Sequence, residues 1–218
     1  MRIEAIPVQL RSLPSDHPRS VGIHQSTVLR KMAAERGILK DIDPAELSLV
    51  EATGPGFWNS LDPVSQLRMS MGLAWEEWYA KQLEDVTFHP GEHCLDGIYM
   101  TPDGESMDFI YHDDRRIYVP AIHEIKVTYK SVNTVQGLQG DKNWLWRAQV
   151  MGYCKALNTN IAYVHVLFPC GDYSFPIAPQ LRCWRVEFSW MEINQHWGSV
   201  VAYVRYMTSL EREEEMKD

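Results

Sequence analysis

Apolar and polar positions along the chain recur with two different periods. In the first third the period is helical, roughly three to four residues. Gln25 to Arg36 (QSTVLRKMAAER) opens on Gln/Ser/Thr residues able to cap it and is stopped by Gly37. Asp43-Pro44 sets an N-cap residue before a proline at the first helical position, which predicts a short helix to about Ala52. Thr53-Gly54-Pro55-Gly56 is a turn. Asp62-Pro63 opens the longest early helix, to about Glu84. On a wheel of about 3.6 residues per turn, Leu67, Met71, Ala74, Trp75 and Trp78 share a face, and that face should be core.

The middle of the chain changes period. Val86 to His89, Cys94 to Thr101, Met107 to Tyr111 and Ile117 to Tyr129 are rich in β-branched and aromatic residues and read as strands, with Pro102-Asp103-Gly104 supplying the turn of a hairpin. Asn143 to Leu157 is helical again. Ile161 to Phe168 and Leu181 to Phe188 are strands joined by a Gly/Pro loop, and Trp190 to about Glu215 is a closing helix. This order predicts an α/β (α+β) fold, a mixed central β-sheet flanked by helices. We read one domain over 1–218: a helical part over 1–62, a motif-bearing core over 63–170, and a closing strand and helix over 171–218.

Composition narrows the classes. Hydrophobic residues are 45% and charged residues 23%, the balance of a globular chain and not of a disordered one. No uncharged apolar run approaches the roughly 18 residues of a membrane helix, so no membrane association is expected. The opening MRIEAIPVQLRSLPSD has no apolar stretch of secretory length, which leads us to expect a cytoplasmic protein. Cys94, Cys154, Cys170 and Cys183 form no CxxC pair, so neither a zinc ribbon nor an iron–sulfur cluster is indicated, and the four are expected reduced, buried and inert. The formal net charge is −8, which argues mildly against nucleic acid as a partner. The charge is uneven, however. Lys126, Lys130, Lys142, Arg147 and Lys155 stand against Asp141 alone between 126 and 155, while 211–218 is an acidic helix end.

The sharpest chemical feature is His123-Glu124-Ile125-Lys126-Val127. Side chains alternate in a strand, so Glu124 and Lys126 share one face while Ile125 and Val127 take the other. Alone, E-x-K is a weak motif and reads first as an ion pair on a solvated strand. Upstream, Asp96 in Cys94-Leu95-Asp96-Gly97 is a single acid inside an apolar stretch. Two carboxylates on neighbouring strands with the Ile125 carbonyl make a hard oxygen site suited to Mg²⁺ or Mn²⁺. Gln149 and Tyr153 lie four apart, on one helix face, and Gly72 to Trp78 (GLAWEEW) adds acids to the long helix.

Four elements in this order resemble the RecB/lambda-exonuclease branch of the PD-(D/E)XK nucleases: G-x-x-x-E on a helix (Gly72 to Glu76), an apolar strand with D-G (Asp96-Gly97), an E-x-K strand (Glu124 to Lys126), and Q-x-x-x-Y on a helix (Gln149 to Tyr153). The resemblance spans residues 65–170 and implies a restriction-endonuclease-like core. It implies that Asp96 and Glu124 are the principal metal ligands, with the Ile125 carbonyl as a third and Glu76 completing the shell. Lys126 would orient the attacking water or stabilise charge on the phosphate. Gln149 would position water, lysine or phosphate, and Tyr153 would support that helix face. Lys130, Lys142, Arg147 and Tyr153 are the implied DNA contacts, with Arg115 and Arg116 as further candidates. Glu76 conflicts with the helical wheel, which sets it nearly opposite the apolar stripe while Glu77 flanks it; the motif favours Glu76.

The function so implied is a Mg²⁺-dependent (or Mn²⁺-dependent) deoxyribonuclease acting on DNA ends or single strands, an exonuclease of phage-type recombination or repair working in the host cytoplasm if phage-encoded. The partners implied are DNA, a further copy of the chain, and a single-strand-annealing protein. A second reading is a nuclease-like fold kept as a DNA-binding or assembly module without turnover. A third is an α/β protein whose motif matches are chance. A zinc site from His89, His93, Cys94 and His112 is disfavoured, because Pro90-Gly91 makes that segment a turn and no second tight pair exists. Trp144 and Trp146 beside Arg147 read as core before they read as base-stacking residues.

Overall fold

The ends of the elements follow from local chemistry. Asp62 accepts hydrogen bonds from the backbone N–H groups of Val64 (2.9 Å) and Ser65 (3.1 Å), with Pro63 in the first helical position. Ser189 and Glu192 cap the last helix reciprocally: the Ser189 N–H donates to Glu192 Oε2 (2.8 Å) and the Glu192 N–H to Ser189 Oγ (3.2 Å). The structure, a computed structural model, describes residues 20–40, 47, 62–135 and 143–215. The helix expected over 44–52 (residue 47 apart), the turn at 53–56 and Lys142 lie outside the described residues.

The chain order is β1 (Ile23–His24), α1 (Gln25–Glu35), α2 (Pro63–Ala80), β2 (Thr87–Phe88), β3 (His93–Leu95), β4 (Ile98–Met100), β5 (Gly104–His112), β6 (Arg115–Val127), a 3₁₀ turn (Val132–Thr134), α3 (Trp144–Ala156), β7 (Ile161–Phe168), β8 (Gln180–Glu187) and α4 (Trp190–Glu215). The fold is mixed α+β, with two mixed sheets flanked by helices. One sheet has the order β1-β4-β3 and the other β2-β5-β6-β7-β8, in which only β6 and β7 run parallel. The core lies on one face of the larger sheet. Ile122, Ala162, Val164, Val166 and Phe168 meet Val28, Leu29 and Met32 of α1, Ala148 and Val150 of α3, and Ile193, Trp197 and Val200 of α4 there.

Gly152 sets how closely α1 and α3 approach. A Cβ at that position would stand 1.7 Å from Gln25 Nε2, and buried Gln25 donates from that nitrogen to the Ala148 carbonyl (3.2 Å). The opposite sheet face carries a buried polar row. Ser106 Oγ is 2.8 Å from His123 Nε2, His123 Nδ1 is 3.0 Å from His165 Nε2, and His165 Nδ1 is 3.1 Å from the Tyr79 hydroxyl.

Three expectations change. The 94–101 segment is not one strand: Asp96 and Gly97 have φ of +52° and +77° and form the tight turn between β3 and β4, the Asp-Gly chemistry of a two-residue hairpin. Pro102-Asp103 accordingly does not turn a hairpin but carries the chain from the smaller sheet to the larger. The apolar stripe of α2 is not core, since Leu67, Met71 and Trp78 are 51%, 43% and 54% exposed while Gln66, Tyr79 and Ala80 are buried. All four cysteines are free, but only Cys154 is buried; Cys94 and Cys183 are exposed.

Candidate active site

The site forms where β5 begins late. Its first residue, Gly104, pairs with His123, so β6 runs on through Glu124, Ile125 and Lys126 with no β5 partner on that side. The gap admits side chains from both faces of the sheet. Glu76 of α2 and Gln149 and Tyr153 of α3 line one cavity of about 160 Å³ together with Asp103 and Lys126.

Asp103 sits just ahead of Gly104 and fills the missing ladder position: its Oδ2 accepts the Ile125 N–H at 2.6 Å. The N–H and C=O of one strand residue point to the same edge, so the Ile125 carbonyl faces the side on which Asp103 stands. Glu124 is fully buried. The Lys126 ammonium is in ion-pair contact with its Oε1, while no N–H or hydroxyl among the described residues donates to Oε2.

Burial raises the proton affinities of both carboxyl groups, and at Glu124 the charge of Asp103 adds to it. For Asp103 burial outweighs the opposing pull of Lys126 and the Ile125 N–H. For Glu124 burial and the Asp103 charge outweigh Lys126. At Lys126 burial alone would disfavour the ammonium, but the carboxylates of Glu124, Asp103 and Glu76 reverse this and hold its proton above the ordinary lysine range.

Among the described residues, no group of three or more His, Cys, Asp or Glu side chains is gathered closely enough to hold a metal ion. What the gap offers is two adjoining carboxylates and a backbone carbonyl, with Glu76 near enough to be felt by both Glu124 and Lys126. One or two carboxylates, with remaining positions left to water and phosphate, is the set by which Mg²⁺ is commonly held. The Glu124 carboxyl, which accepts no backbone N–H among the described residues and stands beside that of Asp103, fits that donor set.

The predicted residues divide. Glu76, Glu124, Ile125, Lys126, Gln149 and Tyr153 come together at this gap, and Gln149 Nε2 donates to the Tyr153 hydroxyl (2.6 Å). Glu77 pairs with Lys81 at 3.3 Å, and it is Glu76 that lines the cavity. Asp96 is not brought to Glu124. It lies at the β3–β4 turn and accepts a hydrogen bond from Trp197 Nε1 of α4 at 2.7 Å. Asp103 stands in the place that the sequence reading gives to Asp96. Its signal is present as the dipeptide Pro102-Asp103 ahead of Glu124-Ile125-Lys126, masked because Pro-Asp-Gly is also turn chemistry. Arg147 is set beside Glu192 of α4 rather than in the gap. His93 and His89 pair with carboxylates, Glu105 at 2.8 Å and Glu76 at 3.9 Å, and do not converge with Cys94.

No family model matches the chain, and no curated protein sequence matches it. Among solved structures, an alkaline exonuclease (LHK-Exo) from Laribacter hongkongensis is similar at 14% identity and a TM-score of 0.49, over 90% of this chain and 95% of that one. The same exonuclease in complex with dAMP gives 14% identity and a TM-score of 0.48 over the same shares. Neither likeness is near enough to carry a functional conclusion.

Proposed function

We propose that this chain is a divalent-metal-dependent nuclease that hydrolyses DNA phosphodiester bonds, acting from DNA ends as the sequence resemblance implies. Asp103 and Glu124 are its acidic pair and Lys126 its amine, so that Pro102-Asp103 with Glu124-Ile125-Lys126 spells the PD-(D/E)XK pattern. One observation carries the reading: the buried Glu124 carboxylate and the half-buried Asp103 carboxylate are held beside each other and against an ammonium at an opening in the sheet.

Asp103, Glu124 and the Ile125 carbonyl would hold Mg²⁺ or Mn²⁺, with Glu76 beside them. Such an ion supplies positive charge at the phosphate and a more acidic water. Lys126 keeps its proton at neutral pH and offers positive charge to a phosphate oxygen, where it counts most as negative charge grows in the transition state. Gln149, oriented through Tyr153, donates or accepts at water or phosphate in the same cavity. Asp96 takes no part in the chemistry; it fastens α4 to the β3–β4 turn.

The test is a gel of end-labelled linear and closed circular DNA with Mg²⁺ and with EDTA. The expected result is loss of linear DNA only, with Mg²⁺ only, and a fall of about 10²- to 10³-fold in Lys126→Ala. Cleavage indifferent to EDTA contradicts the reading. Tight DNA binding with no product in any divalent metal favours the module without turnover instead.

A further inference from the structure

A second cavity, of about 660 Å³, opens from the same Glu76 and Lys126 and runs outward between α2 and the end of β6. Its outer walls are Arg68 and Gly72 on one side and Thr128, Tyr129 and Lys130 on the other. The Arg68 guanidinium lies 5.7 Å over the Tyr129 ring, the Lys130 ammonium 5.7 Å over the Trp146 ring, and the Tyr129 hydroxyl reaches Met71 Sδ at 3.2 Å. The Tyr173 hydroxyl donates to the Tyr129 carbonyl, which ties this loop to the segment joining β7 and β8.

Three cations (Arg68, Lys126 and Lys130) and one carboxylate (Glu76) line this groove in a chain whose net charge is −8. Cations at its rim and an aromatic ring between them are the two features that hold a single strand: charge for the phosphates and a π-face for a base. The volume falls within the few-hundred-Å³ range of small-ligand pockets, room for about one or two nucleotides and not for a duplex.

We infer that the groove from Lys126 to Lys130 is a single-strand subsite, in which Arg68 and Lys130 take the phosphates next to the one being cut and Tyr129 stacks on a base. This rests on the nuclease reading and adds to it three positioning residues outside the acidic pair. Gly72 serves the same groove. A Cβ there would meet nothing within 4 Å, so this wall of the groove has open space for a side chain.

The test is fluorescence anisotropy of a labelled 12-mer single strand, the same strand with abasic sites, and a blunt duplex, in Ca²⁺ so that substrate survives, alongside kcat and KM in Mg²⁺. The wild type should favour the single strand over the duplex. Arg68→Ala and Lys130→Ala should each weaken single-strand binding about 3- to 10-fold and flatten its salt dependence by nearly one phosphate contact. Tyr129→Ala should weaken the normal strand about 10-fold and the abasic strand hardly at all, with Tyr129→Trp restoring binding. Gly72→Trp should raise KM about 10-fold or more while its melting temperature stays near wild type. Arg68 and Lys130 are exposed, so their variants report on binding even if Tyr129→Ala folds poorly. A wild type that cuts DNA while these variants keep wild-type Kd and KM overturns the groove alone. A wild type that neither cuts nor binds overturns the nuclease reading and the groove with it.

Discussion

Two aspartates are candidates for one proposed role, and their surroundings differ. Asp96 is exposed at a hairpin turn with its carboxylate already spent on Trp197, whereas Asp103 lies beside buried Glu124 and holds the Ile125 N–H. Asp96→Asn keeps an acceptor for Trp197 and should therefore only weaken a single hydrogen bond, costing on the order of 1 kcal/mol of stability in chemical denaturation, with Mg²⁺-dependent cleavage intact. Asp103→Asn should keep the fold and lose cleavage. The reverse pattern would return Asp96 to the site. At this scale much was legible. The alternation of β6 placed Glu124 and Lys126 on one face, and helical spacing put Gln149 beside Tyr153. What was not legible was which Asp-Gly is a turn, since Asp96-Gly97 and Asp103-Gly104 carry the same dipeptide. Only the pairing of β3 with β4 inside the smaller sheet separates the two.

The elements themselves were largely readable from period and punctuation, and the exceptions have a common cause. Period tells which residues of a helix share a face but not whether another element covers it. The shared face of α2 stays exposed because the helix turns Tyr79 and Ala80 to the sheet, where the Tyr79 hydroxyl meets His165. Two expectations belong to this scale. Gly152→Ala forces a Cβ into buried Gln25 between α1 and α3, and overpacking of that kind costs about 1–3 kcal/mol, read as a fall of roughly 2–10 °C in melting temperature. An unchanged melting temperature would mean that the two helices are not locked as described. The histidines that join α2, β6 and β7 should also give stability a pH dependence. Burial lowers His123 and His165 from 6.5 to about 4, with His123 adding to the effect at His165. The unfolded chain takes up protons below about pH 6.5 and the folded pair only near pH 4, so their contribution to stability is full above 6.5 and is lost as pH falls through that window. Asp103 and Glu124, with raised affinities, slope the other way, so the informative quantity is the difference between wild type and His165→Gln in urea midpoint from pH 7.5 to 4.5. Wild type should lose more on acidification, by on the order of 2 kcal/mol. Parallel curves would contradict the buried neutral pair.

For the molecule as a whole, the sum of charges misleads and their placement informs. A net −8 spread over the chain coexists with a groove lined by Arg68, Lys126 and Lys130, and the field in a cleft follows its own walls. Single-strand binding should accordingly weaken with salt, with a log–log slope of roughly −2 for three phosphates neutralised, measured by anisotropy between low and physiological salt. A flat response would remove the groove's cations from the account. No helix among the described residues is long and apolar enough to cross a membrane. The arrangement of sheets and helices thus has one outcome for chemistry: a late-starting β5 leaves a gap at β6 where Asp103 from the segment before β5, Glu124 of β6 and Glu76 of α2 come close together. The measurement that tests this most directly needs no substrate. Thermal melting of wild type, Asp103→Asn and Asp96→Asn is followed as Mg²⁺ or Mn²⁺ is added. Saturation to about a hundred times Kd is worth about 2.7 kcal/mol, or roughly 5–10 °C for a chain of this size. We expect that rise in wild type and in Asp96→Asn and its absence in Asp103→Asn. A rise that survives in Asp103→Asn and vanishes in Asp96→Asn, or no rise in any of the three, would contradict a cation seat at Asp103 and Glu124.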